Sequence, residues 1–114
     1  MTIESRYVLV VSMDVDPDHE DLFNEVYDTE HVPFLLEVPG VHACTRAKGA
    51  AFQFAVGGEI KDVPAASPAY TALYEVDGPE VLTSPDWQAA VEKGRWPSVR
   101  PYCSNRSHAL YKVR

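Results

Sequence analysis

The chain reads as a small α+β domain: four strands in one antiparallel sheet, two helices on one face, in the order βαββαβ. Three observations predict it. Hydrophobic residues alternate with period two in four separate stretches, two helix starts are marked by Asp or Ser followed by Pro, and 114 residues suffice for one core but not two. The composition, 46% hydrophobic and 24% charged, is that of a globular domain, not a disordered chain. Seventeen acidic residues against ten basic give a formal charge of −7 with no Lys/Arg cluster to offset it. Such a surface repels phosphate backbones and anionic membranes, so no nucleic-acid or membrane partner is expected. No apolar run approaches the roughly 18 residues of a membrane span, and no leader pattern opens the chain, which predicts a cytoplasmic protein. Cys44 and Cys103 form neither a metal-type pair nor a disulfide framework and are expected as reduced, partly buried thiols.

The first strand spans 6–15, with Tyr7, Leu9, Val11, Met13 and Val15 on one face and Val8, Val10, Ser12 and Asp14 on the other. Both faces begin apolar, so the strand is central. Its second face, ending in Ser12 and Asp14, is expected to meet a polar cavity. Asp16-Pro17-Asp18 then starts a helix: Asp caps free N–H groups, Pro fits an early position, and acids suit the positive end of the dipole. Leu22, Phe23, Val26 and Tyr27 form its buried stripe, and Pro33 is expected to end it at Val32, with Phe34-Leu35-Leu36 a short apolar segment beyond. Pro39-Gly40 marks a turn.

Residues 41–48 alternate Val41, Ala43, Thr45 and Ala47 on the core side against His42, Cys44, Arg46 and Lys48 on a polar side, a second strand that 49–56 would extend after a bulge. From Gly57-Gly58 to Ser67-Pro68 the chain reads as loop. Residues 69–76 form the next strand, closed by Asp77-Gly78-Pro79. Ser84-Pro85 caps and starts the second helix, which buries Trp87, Ala90 and Val91 and stops at Gly94. A proline-restricted connection from Trp96-Pro97 to Arg100-Pro101 leads to the final strand, 103–113. This order is the ferredoxin-like split βαβ arrangement. It leaves one sheet face without helices although the strands are apolar on both sides, and pairing of two such faces in a homodimer is the economical cover.

The chemistry gathers where the first helix stops. Counted by steps of four, Val26 leads to Glu30, and Phe23 leads through Tyr27 to His31, so the last turn carries a carboxylate and an imidazole beside the core. Two roles fit His31: a structural cap of the helix C-terminus, or a general acid or base whose cationic form the helix end and Glu30 favour and burial opposes. Glu30 either assists His31 or pairs with an arginine such as Arg46, which could otherwise hold an anionic substrate. Tyr27, Tyr74, Trp87 and Trp96 are core residues or the walls of an aromatic-accepting cavity. His108 shares the polar face of the last strand with Arg106 and Lys112. His19 and His42 are expected to face solvent. The four histidines sit on separate elements without close ligand spacing, so no metal site is expected, and neither a phosphate loop nor a nucleophile elbow is present.

Tyr27-Asp28-Thr29-Glu30-His31-Val32-Pro33, followed by Val38-Pro39-Gly40-Val41, resembles the helix-end and turn pattern of the dimeric α/β-barrel superfamily, in particular its EthD-like branch. Ser84-Pro85-Asp86-Trp87 and Gly94-Arg95-Trp96-Pro97 are compatible with it. The resemblance implies a homodimer closing a barrel through its sheet faces, with a pocket for a small hydrophobic molecule in each subunit. The superfamily includes cofactor-free monooxygenases, isomerases, polyketide cyclases, dehydratases and haem-binding members, so the fold leaves the reaction open. On this basis the expected function is proton transfer on a hydrophobic, aromatic or polyketide-like carbonyl compound without a bound cofactor. His31 would be acid or base, Glu30 its assistant, and Tyr27, Arg46, Tyr74, Trp96 and His108 the substrate contacts. A non-catalytic ligand-binding protein and a cofactor-free monooxygenase are the alternatives.

Overall fold

The computed structural model describes residues 3–114. Four strands, β1 (Tyr7–Val15), β2 (Val41–Lys48), β5 (Tyr70–Val76) and β6 (Cys103–Lys112), form one antiparallel sheet in the order β2-β5-β1-β6. This is the ferredoxin-like order, with β1 and β5 central. Leu9, Val11 and Met13 of β1 and Ala72, Tyr74 and Val76 of β5 turn toward the helices and join Phe23, Val26, Tyr27, Leu35, Trp96 and Val99 in a single core. On the other face Val10, Ser12, Thr71 and Leu73 are half-buried. Val8 and Glu75 are also buried, and the Glu75 carboxylate accepts the Glu4 N–H at 3.2 Å.

Asp16 opens the first helical region as expected, accepting the Asp18 N–H at 3.0 Å ahead of a 3-10 turn at Pro17–His19. Helix α1 (Glu20–Val26) follows, but the helix does not stop at Val32. It widens into a π turn at Tyr27–His31, in which the Val32 N–H reaches the Tyr27 carbonyl, and resumes as α2 (Val32–Leu36). Pro33 is accommodated because its ring and missing N–H fall beside this widened ladder instead of inside a regular α turn. The Thr29 hydroxyl donates to the Glu25 carbonyl at 2.6 Å on the same turn. Each step of four residues overshoots an α turn by about 40°, and the wide turn takes back part of that drift. Phe23, Tyr27, His31 and Leu35, at strict steps of four, therefore all stay buried. Leu22 does not join them and is exposed.

Two further expectations are corrected. The 49–56 stretch does not extend β2: β3 (Phe52–Val56) pairs only with β4 (Glu59–Val63), in a hairpin apart from the main sheet. Its turn is Gly57-Gly58, both at positive φ (+59° and +79°), the backbone that tight hairpin turns require and glycine supplies. In β2 a register shift between Val41 and Ala43 reverses the assigned faces. Beyond it Cys44, Arg46 and Lys48 lie opposite Tyr74, Ala72 and Tyr70 on the helix side, and Thr45 and Ala47 lie on the other.

Helix α3 (Pro85–Val91) is capped by the Ser84 hydroxyl, which accepts the Trp87 N–H at 3.2 Å, and the chain turns at Gly94. The connection that follows is helical: α4 (Trp96–Val99) and a 3-10 turn at Arg100–Tyr102, each with Pro at an early position where its missing N–H is harmless. Helix α4 buries Trp96 and Val99 against α1 and carries the chain into β6.

Candidate functional site

A cavity of about 250 Å³ opens between the sheet and the helices. Its floor is Leu9, Val11 and Met13 of β1, so it lies on the helix side of that strand, not behind Ser12 and Asp14 as the alternation suggested. Those two are otherwise engaged. The Ser12 and Thr71 hydroxyls bond at 2.9 Å, and the Asp14 carboxylate accepts from the Ala69 N–H at 2.7 Å and the Asn105 amide at 3.0 Å.

His31 is 5% exposed and lines this cavity. Its ring stacks on Trp96, centroids 4.4 Å apart at 23°, and stands edge-on to Tyr27 at 5.0 Å. Nδ1 is buried with no hydrogen-bond partner among the described residues. Burial, followed by the positive fields of Arg100, Arg106 and Arg46, pushes its pKa down to about 4. Of the two opposing influences on His31, a helix end that favours the cation and burial that opposes it, burial prevails. Near neutrality the imidazole is uncharged, because the helix runs on through α2 and desolvation outweighs any dipole.

Tyr27 and Tyr74 complete the inner wall, their hydroxyls 3.0 Å apart, and Trp87 meets the Tyr74 ring edge-on at 6.0 Å. Burial raises the Tyr27 pKa to about 12 and drives that of Tyr74 up as well, so both phenols stay protonated. His108 lines the cavity from β6, where burial and then Arg106 lower its pKa, leaving it neutral too. Six residues named from the sequence, Tyr27, His31, Tyr74, Trp87, Trp96 and His108, thus meet around one space.

Glu30 and Arg46 do not line it. The Glu30 carboxylate accepts the Arg95 N–H at 2.8 Å and the Arg95 Nε–H at 2.6 Å, which hold its pKa below the usual range. It is a strut under the turn that leads to Trp96. Gly94 makes the contact feasible, since at φ +66° a Cβ there would sit 2.5 Å from Glu30 Oε1. Arg46 lies over the Tyr27 ring at 4.3 Å and donates to Asp28 at 2.6 Å and Asn24 at 3.0 Å. It thereby closes the far side of the aromatic cluster. His19 pairs with Asp16 and stacks on Tyr102, and His42 pairs with Asp77, both at the surface.

Sequence reasoning did not place Glu92, Arg100 and Arg106 at the cavity rim. Arg106 carried a signal, because it stands two residues from His108 on one strand and so shares its face. Arg100 and Glu92 carried none, lying in a turn and at a helix end without periodicity. Among the described residues no three His, Cys, Asp or Glu side chains converge as a metal site would require. No helix is long and apolar enough to cross a membrane among those residues.

No family model matches this chain, and no curated protein matches it. Among solved structures the chain resembles an ethyl tert-butyl ether d (EthD) family protein from Bacillus halodurans C-125, with a TM-score of 0.57 and 13% identity. The match covers 95% of this chain and 99% of that one, so the likeness extends over the whole fold.

Proposed function

We propose that the cavity binds a small, mainly apolar carbonyl compound and moves a proton on it, with His31 polarising the carbonyl and His108 accepting the proton. The observation that carries this reading is the buried imidazole of His31, lining a cavity with one ring nitrogen unpartnered. Leaving Nδ1 as an empty acceptor costs less than stranding an N–H there, so the proton belongs on Nε2, the edge left to meet a ligand. A neutral imidazole N–H donates to a carbonyl oxygen and strengthens that bond as negative charge develops on enolisation. His108, uncharged near neutrality, supplies the accepting lone pair. Glu30, bonded to Arg95, takes no part in this scheme.

The test is deuterium exchange from solvent into enolisable aromatic ketones bound by the protein, followed by NMR. Exchange that disappears in both His31→Gln and His108→Gln, with binding retained, supports the scheme. Binding without exchange favours a non-catalytic ligand-binding protein.

A further inference from the structure

We propose that the cavity takes a monoanion: a flat, largely apolar carboxylate, about one aromatic ring in size, its charge held between Arg100 and Arg106 and its body lying against Trp96 and Trp87. This rests on reading the cavity as a small-molecule site and adds the charge and size of what enters it.

The argument starts from an imbalance. The chain carries a formal charge of −7, yet the charged residues lining its cavity are Arg100, Arg106 and Glu92. Glu92 is already committed, accepting from Arg100 Nη2 at 3.0 Å. Arg106 pairs with no carboxylate among the described residues. Both histidines are neutral, so the rim keeps one positive charge uncompensated, on a protein with an excess of acids to spend elsewhere.

A guanidinium is built to grip a carboxylate through paired N–H donors, and one uncompensated charge matches one negative charge. A phosphate would need more. No glycine lines the cavity to bring a cradle of backbone N–H groups to it. Size follows from about 250 Å³, just under the roughly 300 Å³ at which sites for drug-sized ligands begin. Flatness follows from the walls, where the Trp96 ring already stacks on His31 and the floor is Leu9, Val11 and Met13. The field of both arginines also reaches the inner end, since after burial they are the largest influences lowering the His31 pKa.

Both tryptophans of the chain line this cavity, so intrinsic fluorescence reports on it directly. Titration of the full chain with benzoate and with benzamide, its uncharged counterpart of nearly equal shape, separates charge from fit. Benzoate is expected to bind at least about tenfold more tightly, as a charge-assisted bond to arginine warrants. That preference should vanish in Arg106→Gln, a change on the exposed part of β6 that leaves the core intact, and should shrink as salt is raised. Equal affinities in the unsubstituted protein, or a preference that survives Arg106→Gln, overturn the anion assignment and leave the small-molecule site standing. No fluorescence change with either compound overturns both.

Discussion

A histidine that folds into a buried, positively charged setting makes the protein sensitive to acid. The unfolded imbalance is simple: free His31 takes a proton near pH 6.5, whereas in the fold it resists until about 4. Its contribution to stability is therefore fully present above 6.5 and is lost as pH falls toward 4, by up to about 3 kcal/mol. Urea denaturation across that window should show the loss, and His31→Gln should flatten it. Tyr27→Phe belongs to the same scale. It removes the 3.0 Å bond to the buried Tyr74 hydroxyl, which keeps its bond to the Cys44 side chain, and should lower stability by about 1 kcal/mol, measured at constant pH. These residues were legible because Tyr27 and His31 lie four apart on an amphipathic stripe and His108 on an alternating strand. Of the two readings of Glu30, pairing with an arginine is the one the fold takes, but the partner is Arg95 and not Arg46: it lies 65 residues away in sequence, where no periodicity points to it.

Among elements, the strand and helix order was legible from periodicity and from Asp-Pro and Ser-Pro starts, because local pattern and global fold agree there. The π turn was not, since Pro33 announces a disturbance without saying whether the helix ends or widens. The turn at Gly94 shows how one element serves another. It brings Arg95 onto Glu30 of the π turn and so seats Trp96 on His31. Gly94→Ala would place a Cβ against the Glu30 carboxylate at a φ that L-residues avoid, and should destabilise by more than about 1 kcal/mol. Because the strain acts on the turn before Trp96, its fluorescence should shift as well, which a change confined to a surface loop would not cause.

At the scale of the whole molecule the fold is more extended than its length requires. Its radius of gyration is 15.7 Å where about 13 Å is usual for this length, and its extents are 51 × 39 × 20 Å. The β3–β4 hairpin stands apart from the main sheet, with Phe52, Phe54, Val56 and Ile60 exposed along it. We propose that two chains pair through the sheet faces left without helices, and light scattering should then give about twice the 12.7 kDa of one chain. A mass of one chain at micromolar concentration would contradict it. The hairpin was hidden from sequence because Gly-Gly marks both a loop and a tight turn, and the second strand, Glu59–Val63, carries three charged residues in five and so lacks an apolar run. Its separateness also makes it a place where the backbone tolerates a break. Trypsin cutting after exposed Lys61 would sever the chain between β2 and β5, yet both strands keep their pairing in the four-stranded sheet, so the two fragments should migrate as one native particle and part only in denaturant.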